Sequence, residues 1–179
     1  YDKAVTEFIT IGLAYAGDNP DVETIRKKDL APCEDGSDYL HRIKTSIIPF
    51  VEEHFPADPS FRCIAGTSIG GSFALSALFS NPGLFQGVIA LAPSVDCHNN
   101  WLFSEEKKYF ESRSGLREKL LFSRPELNAR VFMAVGDADN TSVVSSVTSF
   151  NTQIDSRKYR YLEKQFRIIE GEKHGGIKA

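Results

Sequence analysis

A serine set between two glycines is the feature of this chain best suited to do chemistry. The run Gly66-Thr67-Ser68-Ile69-Gly70-Gly71 has Gly-x-Ser-x-Gly spacing. An apolar stretch (Arg62-Cys63-Ile64-Ala65) precedes it, and a small-residue helical pattern, Ser68–Phe79, follows. A serine held on a sharp strand-to-helix turn exposes its hydroxyl as a nucleophile. The spacing predicts that Gly66 and Gly70 remove Cβ atoms that would collide where strand and helix come close. Ile69 opens the helix, so its N–H is the expected donor to a developing oxyanion. The bare pattern arises by chance in roughly one chain of this length in twenty, so the flanking strand and helix carry the assignment.

A serine nucleophile needs a base, and the chain has four histidines. His41 and His54 fall on an amphipathic helical pattern, and His98 lies in a polar stretch that reads as solvent-exposed. His174 follows the last apolar run and stands between Lys173 and Gly175-Gly176, glycines that let an imidazole come close. The acid is sought after the preceding apolar run, Arg130–Val135, which ends at Gly136 and leads into Asp137 and Asp139. Asp139, three residues past the glycine, is far enough round the turn to face the base and is preferred. Asp137 is the alternative, with capping of the next helix or bonding of the turn as its other roles. The acid would accept Nδ1–H, fix the tautomer and stabilise the imidazolium. Serine then follows one strand, the acid a later strand and the histidine the last, in that chain order.

The elements that must hold these residues alternate in type. Strands are expected at Phe8–Ala16, Phe61–Ala65, Gly87–Ala92, Arg130–Val135 and Gln165–Ile169. Helices are expected over Asp38–Phe55, kinked at Pro49, over Ser68–Phe79, and where Val143, Val147, Phe150 and Ile154 share a face. Ser104–Leu127 reads as helical in pieces, and Tyr1–Glu7 as a helix end. Asp18–Gly36 and Val95–Ser104 read as loops that would build the substrate pocket. Apolar runs alternating with helices argue for an α/β fold with a mostly parallel sheet and helices on both faces. One domain over residues 1–179 is expected.

Bulk composition narrows the function. The chain has 179 residues, 41% of them hydrophobic, and a net charge of −3, which gives no reason to expect a nucleic-acid partner. The apolar runs are too short for a membrane span. Cys33, Cys63 and Cys97 form no zinc spacing; Cys63 reads as a small buried hydrophobe, and only a Cys33–Cys97 bridge is left open. The first residue is Tyr1 rather than Met, so the lack of a leader-like stretch fixes no compartment.

With these residues in hand, the chain resembles the putative-esterase family of α/β-hydrolases, most closely its siderophore (enterobactin) esterase-like branch. The resemblance rests on Ile11-Gly12-Leu13-Ala14-Tyr15, Arg26-Lys27-Lys28-Asp29-Leu30-Ala31-Pro32, Ile48-Pro49-Phe50-Val51-Glu52 and the block from Ala65 to Ser94. The chain departs from the family pattern at Thr67, often a histidine, and at Val95-Asp96, where paired tryptophans are common. The resemblance implies an α/β-hydrolase fold and a serine hydrolase that cleaves a small-molecule carboxylic ester, a siderophore-type ester among them, through an acyl-enzyme. No cofactor and no metal are expected. The same residues would serve acyl transfer, and a hydrolase-fold binding module without catalysis is the non-enzymatic alternative. The run Arg26-Lys27-Lys28 reads as a solvated loop, with attraction of an anionic substrate as its other reading. The resemblance further implies that the first strands, a second oxyanion donor and a last helix lie outside these 179 residues, Tyr1–Glu7 matching the helix after the donor loop.

Overall fold

Continuous apolar runs bury both faces of a strand, which a parallel sheet requires. In the computed structural model, which describes residues 7–15, 21–31, 36–114 and 124–175, four such runs pair into one sheet. Its strands are β1 (Cys63–Thr67), β2 (Gly87–Leu91), β3 (Glu126–Gly136) and β4 (Arg160–Ile169). They lie in the order β1-β2-β3-β4, and every neighbouring pair is parallel. The helices are α1 (Val22–Leu30), α2 (Gly36–Arg42), α3 (Ile48–His54), α4 (Ile69–Ser80), α5 (Cys97–Arg113) and α6 (Thr141–Arg157). Thr67 pairs with Leu91, Leu91 with Ala134, and Gly136 with Ile169. The carboxyl ends of all four strands therefore share one edge, where an open α/β sheet binds its ligands.

The core forms where α4, α5 and α6 meet the sheet. Residues Gly71 to Phe79 of α4 are buried throughout, and Leu75, Leu78 and Phe79 join Val88, Val131, Met133 and Val135. The expected face of α6 is also found there: Val147, Phe150 and Ile154 are buried, and Phe150 meets Phe103 edge-on at 5.1 Å. Asn140 caps α6 by accepting Ser142 N–H at 3.0 Å. Among the described residues no helix is long and apolar enough to cross a membrane.

Glu106 on α5 is a carboxylate with no exposed surface, and the fold compensates it fully. Tyr159 Oη, Gln153 Nε2 and Arg157 Nε all donate to it, which ties α5 to the end of α6 and the start of β4. Burial first, then the Glu106 carboxylate, pushes the Tyr159 phenol far above its usual range, so it remains a donor. Glu106→Ala leaves the Tyr159 hydroxyl and the Arg157 guanidinium without that partner. The expected loss is about 3–5 kcal/mol of unfolding free energy, read from urea denaturation; a loss under about 1 kcal/mol would show that water replaces the carboxylate.

Several expectations are corrected. Residues 7–15, expected as the body of a strand, are irregular and exposed, with Phe8 at 75%. They pair with none of the four described strands, and only Tyr15 is anchored, stacked on Tyr39, which in turn meets Phe73. Residues 22–30, expected as loop, form α1. None of its residues is buried, but Leu30 packs against the cluster of Leu40, Ile43 and Phe73; Glu23 in the first turn pairs with Arg26 and Lys27, and Lys27 and Lys28 occupy the last turn. The helix expected over 38–55 with a kink at Pro49 is helical from Gly36 to His54 but irregular just before Pro49, whose missing N–H interrupts the ladder. A π-helical turn, Ile43–Ile47, takes up the irregularity, and Ile48 N–H reaches back to the Ile43 carbonyl.

The second expected loop, 95–104, also turns helical, because α5 starts at Cys97. Leu127, expected at the end of a helical piece, is buried in β3 instead. Cys63 is exposed rather than buried, β1 having a strand neighbour on one side only among the described residues. Cys33, the His98 side chain and residues 1–6 lie outside the described residues, and so do the readings placed on them.

Candidate active site

Ser68 sits where β1 gives way to α4, and its backbone is bent to fit. Its φ of 57° and ψ of −123° lie in a region that L-residues rarely adopt. Neighbouring backbone holds it there. Ser68 N–H donates to the Leu91 carbonyl at 2.9 Å, Ser94 N–H to the Ser68 carbonyl at 3.2 Å, and Ser72 N–H to the same carbonyl at 3.1 Å. Ala92, between the two clamping residues, is itself left-handed with φ 41°. Two strained non-glycine residues thus face each other at the strand ends, each a cost of roughly 1–3 kcal/mol that the surrounding core must offset.

The glycines around Ser68 have unequal tasks. A Cβ on Gly66 would overlap the backbone carbonyl of Gly70, and one on Gly71 would press on the Gly66 carbonyl at 3.1 Å. A Cβ on Gly70 would meet nothing within 4 Å, which corrects the expectation for that residue. The close approach is made by the Gly70 carbonyl, not by the space above its Cα. Gly66→Ala is therefore expected to lower stability by about 3 kcal/mol, since backbone cannot rotate aside. Gly70→Ala should be neutral or stabilise by up to about 1 kcal/mol, alanine being the better helix former. Thermal melts of the two variants in the opposite order would contradict this account.

The three residues picked out by chain order are brought together. His174 Nε2 lies 2.9 Å from Ser68 Oγ, and His174 Nδ1 lies 2.8 Å from Asp139 Oδ2. A carboxylate can only accept, so Nδ1 carries the proton, and the bare Nε2 of a neutral ring accepts from the Ser68 hydroxyl. The Asp139 side chain is only 3% exposed, whereas that of His174 is 42% exposed. The carboxylate is thus shielded from competing water and the imidazole is open to it. Asp139 Oδ1 also accepts Asn140 N–H at 2.6 Å, which fixes the carboxylate plane.

Asp137 does not meet the histidine; its Oδ1 accepts Gly171 N–H at 2.7 Å. Ile69 opens α4, so its N–H belongs to the group that no helix carbonyl can reach and stays available to an acceptor. His41 and His54 are exposed on α2 and α3, and His54 Nδ1 donates to the Phe50 carbonyl.

One neighbour escaped the reading of the serine motif. Ser94 Oγ lies 3.2 Å from Ser68 Oγ. Because the Ser68 proton points at His174, Ser94 is the donor in this pair. Its only sequence signal was position, directly after the strand next to β1.

Two cavities of about 200 and 410 Å³ lie elsewhere. The smaller is lined by Phe61, Gln86, Arg130 and Tyr161 at the amino ends of the strands, the edge opposite Ser68. Among the described residues no group of three or more His, Cys, Asp or Glu side chains could hold a metal ion.

Comparison with known proteins gives a consistent picture. The profile of a family described as Putative esterase matches residues 1–175. The chain is similar in structure to the siderophore hydrolase EstB from Aspergillus nidulans, with 23% identity and a TM-score of 0.68 over 89% of this chain and 63% of that one. It is also similar to an IroE-like serine hydrolase from Shewanella oneidensis, with 15% identity and a TM-score of 0.70 over 84% of this chain and 52% of that one. The BES protein from Bacillus cereus matches at 24% identity and a TM-score of 0.66, over 78% of this chain and 49% of that one. At these identities the likeness is one of fold, and the fold is that of the α/β-hydrolases. The chain spans about half to two-thirds of the length of these structures.

Proposed function

The chain belongs to the putative esterase family, and from that premise we propose that it hydrolyses a carboxylic ester through an acyl-enzyme on Ser68. The observation that carries this reading is the unbroken hydrogen-bond chain from Ser68 through His174 to Asp139 at the carboxyl edge of the sheet. Ser68 Oγ attacks the ester carbonyl carbon while its proton passes to His174 Nε2. The Asp139 carboxylate faces the imidazolium that forms. The negative charge moves to the former carbonyl oxygen, where Ile69 N–H donates to it. Collapse expels the alkoxide, which leaves as an alcohol after taking the proton from His174. Water then repeats the sequence: His174 removes its proton, the oxygen attacks the acyl carbon, and Ser68 Oγ departs with the proton returned.

A siderophore-type ester is the proposed substrate class, supported by the structural likeness to a siderophore hydrolase. The test has two arms on the full-length protein. A fluorophosphonate probe should label one residue, Ser68, as located by peptide mass spectrometry. A panel of a catecholate siderophore ester, a feruloyl sugar, an acetyl sugar and formylglutathione should be cleaved with preference for the first. Absence of label at Ser68 in folded protein overturns the mechanism. Labelling with preference for another ester overturns the substrate class alone.

A further inference from the structure

β3 and β4 end side by side, and the loops that leave them deliver Asp139 and His174. Hydrogen bonds join these two loops to each other. Asp137 N–H donates to the Ile169 carbonyl and Ala138 N–H to the Glu172 carbonyl, each at 3.1 Å. Gly136 makes the second bond possible, because a Cβ there would occupy the place of the Glu172 carbonyl. Besides the bond of Asp139 to His174, a further tie is made by a side chain, Asp137 Oδ1 accepting Gly171 N–H at 2.7 Å. Gly171 has φ 74°, which suits glycine, so the turn carrying that N–H is sharply bent three residues before His174. Asp137 itself is exposed and belongs to no core cluster. Its contact therefore does little for global stability and acts where the base enters the site.

We propose that Asp137 is the positioning residue of the base loop. Its carboxylate oxygen fixes the Gly171 amide and with it the approach of His174 Nε2 to Ser68 Oγ. The proposal rests on the reading of Ser68, His174 and Asp139 given above, and it assigns the two aspartates separable tasks. Position 139 needs a charged acceptor facing an imidazolium. Position 137 needs only an oxygen that accepts an N–H, which an asparagine also offers. Without that acceptor the turn loses its tie at Gly171 and keeps the one at His174, and a base displaced by about 1 Å can cost up to about a hundredfold in rate.

The experiment compares Asp137→Ala, Asp137→Asn and Asp139→Asn in the full-length protein, with steady-state kinetics on an aryl ester and thermal melts. Asp137→Ala is expected to lower kcat about tenfold, with KM within about twofold and the melting midpoint little changed. Asp137→Asn is expected to keep at least about a third of kcat, the rescue that a bare loss of structure would not show. An Asp137→Ala protein within about twofold of the parent in kcat overturns the proposal, as does an asparagine variant as slow as the alanine one. If Asp137→Ala fails to fold, the asparagine variant decides alone: retained kcat supports the proposal and a tenfold loss overturns it. A parallel Ser68→Ala control that still turns over ester would instead overturn the mechanism on which the proposal rests.

Discussion

Ser68→Ala is expected to lower kcat for a short aryl ester by about 10⁴–10⁶-fold while leaving the fold intact. The proposed covalent route runs through Oγ, and among the described residues Ser68 is the hydroxyl that lies 2.9 Å from His174 Nε2. Ser94 Oγ, 3.2 Å from Ser68 Oγ, hydrogen-bonds to the nucleophile rather than standing in its place. Residual turnover would come from Ile69 N–H and from substrate binding, which survive the substitution. Alanine at φ 57° is strained no more than serine, so the melting midpoint should barely move. The double variant Ser68→Ala, His174→Ala should be hardly slower than Ser68→Ala, since the two residues act as one unit. Turnover within about tenfold of the parent would remove Ser68 from the mechanism.

The next largest effect is expected at Asp139. Asp139→Asn should cost about 10³–10⁴-fold in kcat through the tautomer rather than through geometry. An amide NH₂ turned toward Nδ1 donates to it, which moves the imidazole proton to Nε2. That nitrogen can then no longer accept the Ser68 proton. Nor can water supply a substitute acceptor, because the position is 3% exposed. The measurement is kcat together with the fluorophosphonate labelling rate, and the two should fall in parallel. A variant within about threefold of the parent in both would show that His174 works without the carboxylate.

Much of this arrangement was legible in the sequence because apolar content and chain order are local signals. The runs that became β1, β2 and β3 are apolar where the sheet buries them, and the α6 face repeats at helical spacing. Two of the misreadings fall where the apolar signal is weak. β4 begins at Arg160, but its first half carries Arg160, Glu163 and Lys164, the polar dress of a strand with one neighbour among the described residues. α1 buries no residue, carries the charges Glu23, Arg26 and Lys27 and touches the core through Leu30, so its apolar signal is weak and it looked like loop. The order of Ser68, Asp139 and His174 could be read, whereas the choice between Asp137 and Asp139 depended on which loop residue reaches Gly171. That Gly66 rather than Gly70 needs its bare Cα follows from how a helix leans on a strand, which residue types alone do not encode.

The sheet adds its strands in chain order, and this has a consequence for synthesis. Ser68 and His174, the proposed nucleophile and base, are 106 residues apart in sequence. At ribosomal speeds that gap is roughly 5–20 s, during which β1 and α4 already exist and β4 does not. On the proposed mechanism Ser68 would emerge as an ordinary alcohol, and the nascent chain would stay hydrolytically silent until the final described strand docks. Acquisition of esterase activity in a synchronised translation reaction should then lag the appearance of the Ser68 segment by that interval, which makes turnover a clock for closure of the sheet.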